Sequence, residues 1–222
     1  MRYLCRASGC GRTTATRFSR YCSAHKSRQR RHGDHAQAGI TAADLKPYVA
    51  RVRCRMEKNQ HNPAWDALDA RWRAIVEHAE GVIALQLAGR PGSRDERTAA
   101  REVSKLGENI PARAVVQTVL AVVMMWEFEP RRFRSDRSFK TQLVRRVRAL
   151  TDMNYGERYH HPSATVKRYY KDVSPRATAI LGQWLVEALG GAGLHVARLE
   201  RADLEQVESE KRALHKALSE LN

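Results

Sequence analysis

Hydrophobic positions along this chain recur mostly at the spacing of α-helices. Apolar residues step by three and four from Leu45 to Val52, and they do so again over residues 62–88, before the glycine- and proline-containing segment 89–92. This spacing places the apolar side chains on one face of a helix. Both segments are therefore predicted to be helices that pack against a core.

The next two helices are indicated by their ends. Ser93 and Glu96 have the spacing of a capping box, before a helix that is predicted to end at Gly107. Pro111 is predicted to begin the most apolar helix, and Pro130 is predicted to end it. As the most apolar segment, this helix should lie at the centre of the core.

The C-terminal half continues with helical spacing. A helix over residues 136–151 is predicted to bury one apolar stripe and to turn its arginines outward. A further helix begins at Pro175, and the glycines of residues 190–193 are predicted to break it. The apolar stripe of residues 136–151 consists of Phe139, Leu143, Val147 and Leu150.

The last predicted helix, residues 198–222, has an a/d seam with Lys211 as its one polar interruption. Two interpretations stay open, namely a helix packed within the chain and a coiled coil that joins two copies as a homodimer. The seam residues are Leu204, Val207, Leu214, Leu218 and Leu221.

The formal net charge of +16 indicates a protein that attracts polyanions. Nucleic acid is the expected partner, ahead of anionic membrane surfaces and acidic proteins. The first residues are polar, unlike a signal peptide, and the longest apolar run, residues 114–126, is too short to cross a bilayer. We therefore expect a cytoplasmic protein with no membrane contact.

Three of the four cysteines lie near the N-terminus, in the pattern Cys5-x4-Cys10-x11-Cys22-x2-His25. The first two flank a tight turn, and the last two would share the first turn of a helix, which together gives four ligands for a tetrahedral zinc ion. Four ligands with almost no neighbouring carboxylates favour a structural Zn²⁺ over a catalytic one.

The remaining residues of this segment have less specific interpretations. Residues 12–20 are predicted to fold back as a short hairpin between the two ligand pairs. His32 and His35 are alternatives to His25 as the fourth ligand. Cys54, further along the chain, is interpreted as a small buried hydrophobic residue.

The stretches Cys5-Arg-Ala-Ser-Gly-Cys10 and Tyr21-Cys22-Ser-Ala-His25-Lys26 resemble a known type of zinc finger. It is the small Cys-x4-Cys…Tyr-Cys-x2-His finger found at the ends of bacterial phage, plasmid and transposon proteins, including some homing-type endonucleases. The resemblance covers residues 5–25 only. It implies a mobile-element setting and no particular reaction.

Two basic surfaces are predicted to contact nucleic acid. The absence of glutamates at four-residue spacing in the second surface favours a binding face over an ordinary solvated helix. The first surface, on the finger and its tail, consists of Arg12, Arg17, Arg20, Lys26, Arg28, Arg30 and Arg31. The second follows the central helix and consists of Arg131, Arg132, Arg134, Arg137, Lys140, Arg145, Arg146 and Arg148.

Residues 153–172 interleave tyrosines with cations that include Lys167 and Arg168. Tyrosines can stack on bases while cations hold phosphates, and the alternative is that the tyrosines pack beneath the surface.

No catalytic residues are predicted. Tyr169 and Tyr170 follow His160 and His161, but adjacent histidines lack the spacing of a relaxase metal motif. The sequence also has no carboxylate cluster for two metals and no glycine-rich phosphate loop. Catalysis is therefore not expected.

These patterns predict a mainly α fold, a bundle of six or seven helices preceded by a small zinc-bound β-hairpin or knuckle. The expected units are a zinc finger with a basic tail (1–32), a linker (33–40), a helical domain (41–197) and a C-terminal helix (198–222). The leading hypothesis is a zinc-containing duplex-DNA binder, acting as a regulator or as a replication or transposition accessory factor. An RNA or single-strand binder and a protein–protein adaptor are the alternatives.

Overall fold

The computed structural model describes residues 3–220, without the side chains of Leu218 and Glu220. Within these residues the fold is mainly α, as predicted, and one antiparallel sheet of two strands completes it. The helices are α1 (Ser23–His32), α2 (Ala42–Lys58), α3 (Ala64–Leu87), α4 (Arg94–Asn109), α5 (Ala112–Phe128), α6 (Asp136–Arg148), α7 (Pro175–Leu185) and α8 (Gly191–Glu220), and the strands are β1 (Tyr155–His160) and β2 (Thr165–Tyr170).

The core is built around α5. This helix contacts α2, α3, α6 and α8, and from Val115 to Met125 every residue except Gln117 is buried. Burial on nearly all sides suits a helix that is apolar on nearly all sides. Pro111 precedes the helix and Pro130 begins the 3-10 turn that follows it, so both predicted ends are confirmed.

Polar side chains begin the surrounding helices. Thr41 and Asp44 form a reciprocal capping box at the start of α2. The hydrogen bonds from Thr41, together with Arg132, lower the pKa of Asp44 to about 2. Ser93 accepts a hydrogen bond from the amide of Glu96 at the start of α4, which is the first half of the predicted capping box. These bonds satisfy amides that have no partner within the helix.

The helix over residues 62–88 ends before Gly89 as predicted, but the ends predicted at Gly107 and at residues 190–193 are wrong. Gly107 lies inside α4, where a Cβ atom would come within 2.8 Å of Val76, and this glycine therefore lets α4 approach α3 closely. The glycines of residues 190–193 do not interrupt the helical path, because one π-helical turn, Val186–Gly190, joins α7 to α8. A Cβ atom on Gly193 would lie 2.7 Å from Val123 of α5. Close helix packing accounts for these glycines.

The strands are not where the sequence pattern predicted them. Residues 12–20 do not pair with one another as a hairpin. Instead, Thr13 forms an isolated antiparallel bridge with Leu4, which precedes it in the chain. The hairpin of the structure is β1–β2, in the tyrosine-rich segment, with Tyr155 opposite Tyr170 and His160 opposite Thr165. The signal that could have predicted it is the run of strand formers on both sides of the 3-10 turn His161–Ser163.

Residues 33–40, predicted as a linker, lie against α6. Gly33 has a φ of +86°, and a Cβ atom there would come within 2.8 Å of the backbone of Arg137 and Ser138. Gln37 is buried and accepts a hydrogen bond from the amide of Arg134. The amide of Ile40 donates to Oε1 of Gln142, at 3.0 Å. These contacts fix α1 beside α6.

The seam of α8 is largely uncovered. Leu204, Val207 and Leu214 have exposed fractions of 40%, 46% and 62%. Leu221 lies outside the described residues, and the side chain of Leu218 is not described. Among residues 3–220, no single helix has both the length and the apolar character needed to span a membrane, and α4 and α5 meet that test only as a pair bent by 120°.

Candidate metal centre and basic groove

The four predicted metal ligands come together. One ligand atom from each of Cys5, Cys10, Cys22 and His25 can be chosen so that all four lie within 4.8 Å of one another. Nδ1 of His25 lies 3.4 Å from the sulfur atoms of both Cys5 and Cys22, and the Cys10 and Cys22 sulfur atoms are 3.8 Å apart. This arrangement could bind one metal ion.

Local structure positions each pair of ligands. The amide of Cys5 donates to the carbonyl of Arg12, so the loop between them closes and brings Cys10 back towards Cys5. Gly9, in this loop, has a φ of +71°, a conformation that favours glycine. Cys22 is the residue immediately before α1 and His25 lies in the first turn, as predicted. Both ligands therefore face the same point in space.

The environment of the thiols favours the thiolate form of Cys5. Burial raises the pKa of Cys5, but hydrogen bonds from the backbone of Cys22 and Ala7 and from His25 lower it to about 6 overall. A backbone hydrogen bond from Arg12 lowers the pKa of Cys10, while burial and the neighbouring thiols raise it above its usual value. The local buried cluster is small, since only Cys5, Ala7 and Cys22 are buried in it.

The other histidines and the fourth cysteine have different positions from those ligands. The ring of His35 stacks on Tyr21 with centroids 4.3 Å apart, and Nδ1 of His32 lies 3.2 Å from the amide nitrogen of Gln142. Neither belongs to the cluster of ligand atoms. Cys54 is exposed, so its interpretation as a buried residue was wrong.

The structure brings parts of the two predicted basic surfaces to the rim of one narrow cleft between α1, α6 and the start of α7, whose volume of about 20 Å³ holds little more than one water molecule. Arg30 and Arg31 of α1 line it together with Arg137 and Arg145 of α6. In the part of the chain that the structure describes, Asp172 is the one carboxylate among the lining residues, and it pairs with Arg145 at 2.6 Å. We call this surface the basic groove.

Other predicted nucleic-acid residues lie outside the groove. Arg132 pairs with Asp44, and Arg168 pairs with Asp152. Lys167 is exposed on β2. The exposed residues of the finger outside the groove are Arg12, Arg17, Arg20, Lys26 and Arg28, and those before α6 are Arg131, Arg132 and Arg134.

Three residues of α6 that were predicted to contact nucleic acid are not exposed. Lys140 is half-buried and donates to Gln183 at 2.7 Å. Arg146 is half-buried, and burial, followed by the charge of Arg145, lowers its pKa. Arg148 is only 3% exposed, which contradicts its predicted outward position. The reason is that α6 ends at Arg148, and the chain turns back so that Asn154, Tyr170 of β2 and Lys171 cover this residue.

Arg148 instead joins α6 to α4 and to the base of the β1–β2 hairpin. Its Nε donates to Glu102 at 2.6 Å and its Nη1 to the hydroxyl of Tyr170 at 3.0 Å. Its Nη2 donates to Oδ1 of Asn154 and to the carbonyl of Lys171, each at 3.0 Å. All three guanidinium nitrogens therefore have partners, and the charge is paired.

Comparisons with protein-family models, curated proteins and solved structures find no match to this chain. Its function is therefore inferred from its own residues.

Proposed function

We propose that this chain is a zinc-containing protein that binds duplex DNA through the basic groove. The observation that carries the proposal is the convergence of Arg30 and Arg31 with Arg137, which lie about a hundred residues apart in the sequence, on one groove with a single acid. Neither Arg30, Arg31 nor Arg137 forms an ion pair within residues 3–220. Unpaired arginines on a protein of net charge +16 suit the phosphates of a nucleic acid.

Zinc is the metal that best fits the ligands. Three thiolates and one imidazole form a closed tetrahedral set, as in structural zinc sites. With Zn–S bonds of about 2.3 Å and Zn–N bonds of about 2.0 Å, such a tetrahedron has S···S edges of about 3.8 Å and S···N edges of about 3.5 Å. The distances of 3.8 Å and 3.4 Å here agree with both. Zinc would brace the segment that leads into α1.

The alternatives are less well supported by the positions of the side chains. A single-strand binder would need several tyrosines free to stack, yet Tyr155 and Tyr170 are half-buried against one another and against arginines. A protein adaptor would engage an acidic partner with the same groove. The mobile-element setting, with a role as regulator or accessory factor, rests on the resemblance of residues 5–25 alone.

Binding without catalysis also remains part of the proposal. The carboxylates of Glu127 and Glu129 are engaged, by Arg201 and by Tyr48 respectively. His160 contacts Ser163 at 2.7 Å.

Reversing the charge of the basic groove tests the proposal. The triple variant Arg30→Glu, Arg31→Glu and Arg137→Glu should bind a short duplex on the order of 100-fold more weakly at about 0.1 M salt, because three phosphate contacts are lost. The slope of log K against log salt should become shallower by about 2.7. Fluorescence anisotropy at several salt concentrations measures both.

A matched control separates the groove from the overall charge. Lys58→Glu, Arg73→Glu and Arg198→Glu make the same change in net charge at exposed sites outside the groove. This control should lose far less affinity. Equal losses in the two triple variants would show that the groove is not the site.

We also propose that a second copy of the chain covers the seam of α8. In a parallel pair, Val207 and Leu214 would occupy d positions and Lys211 an a position, where a polar residue favours a defined dimer. Val207→Glu with Leu214→Glu should convert a dimer to a monomer in sedimentation equilibrium. Ala202→Glu with Ala213→Glu, at outer positions of the same helix, should leave the dimer intact. A wild-type protein that is monomeric at micromolar concentration would refute the pairing.

A further inference from the structure

The hairpin β1–β2 is a two-stranded ribbon whose two faces differ in charge. Directly opposite residues share a face, and the register places Arg158 opposite Lys167 and Gly156 opposite Tyr169. Lys171, two residues after Tyr169, continues the same face. We call this side, which has three cations and no carboxylate, the cationic face of the ribbon.

The cationic face contains an unfavourable pair. Like charges directly opposite each other destabilise a hairpin. Arg158 and Lys167 are both exposed, and neither forms a salt bridge among the described residues. Beside them, the ring of Tyr169 lies over Gly156, where a Cβ atom would come within 2.7 Å of the ring, and the tyrosine remains 49% exposed. Two cations held together beside an open aromatic ring suit a bound polyanion.

The opposite face is the one that attaches the ribbon to the bundle. Tyr155 and Tyr170 pack edge to face with centroids 5.4 Å apart. The guanidinium of Arg168 lies 4.3 Å from the ring of Tyr155, and that of Arg148 lies 5.0 Å from the ring of Tyr170. Contacts within the chain occupy the base of this face, and its outer end presents the uncharged pair Tyr159 and Val166. The cationic face is therefore the one that suits a polyanion.

We propose that the ribbon lies in the major groove of duplex DNA with its cationic face towards the DNA. This inference rests on the proposed function and names a second contact of the same protein. A strand of six residues is about 20 Å long, and two strands lie about 5 Å apart. The major groove is about 12 Å wide and admits a two-stranded ribbon. Arg158 and Lys167 supply the donors for phosphates and base edges.

The positions of the remaining tyrosines favour duplex over single-stranded nucleic acid. A single strand is held by successive bases stacked on neighbouring rings. The two exposed tyrosines of the ribbon, Tyr159 and Tyr169, lie on opposite faces by their register. One strand of bases cannot stack on both, whereas a duplex, whose bases are already stacked on one another, is bound through the cations.

Replacing the cross-strand cations tests the ribbon. Arg158→Thr with Lys167→Thr retains strand-forming residues, removes the repulsion and takes away two positive charges. We expect a melting temperature that is unchanged or higher, weaker binding to duplex, and a log K against log salt slope that is shallower by about 1.8. Lys58→Gln with Arg73→Gln, which removes two charges elsewhere, is the control and should keep most of the affinity.

Competition identifies the groove of the DNA. Methyl green, a major-groove ligand, should displace the wild-type protein, and netropsin, a minor-groove ligand, should not.

Displacement by netropsin alone, equal affinity of the ribbon variant and its control, or a loss confined to single-stranded DNA would each overturn the ribbon proposal. A wild-type protein that binds no duplex would overturn the proposed function as well. Loss of binding in the basic-groove variant but not in the ribbon variant would overturn the ribbon alone.

Discussion

Replacing Cys22 with serine is expected to abolish zinc binding and to unfold the N-terminal segment while the helical bundle stays folded. Cys22 is one of the four candidate metal ligands and lies at the start of α1. Among the described residues, its local buried cluster contains only Cys5, Ala7 and Cys22 itself. A core of that size cannot hold the segment, whereas structural zinc contributes about 10–16 kcal/mol in finger-sized units. The number of zinc ions per chain, measured by native mass spectrometry, should fall from one to none.

Hydrogen exchange locates the effect of this substitution. The amides of Cys5 and Arg6, which donate to the carbonyls of Arg12 and Arg20, should lose protection, and those of the core helix α5 should keep it. Cys54→Ser is the matched control, because Cys54 is exposed and outside the metal cluster. Retention of zinc by Cys22→Ser, or unchanged protection of the Cys5 amide, would contradict a brace made by these four residues.

Replacing Arg148 with methionine is expected to destabilise the whole bundle. The substitution removes the closer of the two cations that pair with Glu102, at 2.6 Å, and leaves Lys105 at 3.0 Å. It also removes the donors from Arg148 to Tyr170 and Asn154. Breaking a buried ion pair from one side costs about 3–5 kcal/mol, and because Lys105 still pairs with Glu102 we expect a loss near the lower figure. For a chain of this size, the melting temperature should fall by on the order of 10 °C.

Two further variants separate the buried pair from the general loss of an arginine. Arg145→Met removes a partly exposed pair with Asp172 and should cost less than about 1 kcal/mol. Adding Glu102→Leu to Arg148→Met removes the carboxylate that has lost its closer partner and should recover part of the stability. If Arg148→Met lowers the melting temperature no more than Arg145→Met does, the stabilising role of the buried Arg148 ion pair is refuted.

The cluster of Cys5, Cys10, Cys22 and His25 and the central helix could be predicted from sequence because both are encoded locally. Cys22 and His25 are three residues apart at a helix start, so their shared direction follows from helix geometry alone. The apolar run after Pro111 likewise determines its own burial. In each case the pattern needs no knowledge of distant residues.

The position of Arg148 could not be predicted, because its surroundings are distant in sequence. Its partner Glu102 is 46 residues away, and the hairpin that covers it was not recognised as a hairpin. Periodicity placed Arg148 on the polar side of α6, and that side is closed by α4 and β2. The glycines 107 and 193 were misread for the same reason, because close contacts with Val76 and Val123 require them.

The most direct test of duplex binding through the basic groove is a salt titration of the zinc-loaded wild-type protein against a short duplex and the matching single strand. Contacts from Arg30, Arg31 and Arg137 alone predict saturable binding to the duplex with a log K against log salt slope of about −2.7 or steeper. The duplex should also be preferred over the single strand. A flat salt dependence, a preference for the single strand, or no saturable binding to the duplex would contradict duplex-DNA binding by this protein.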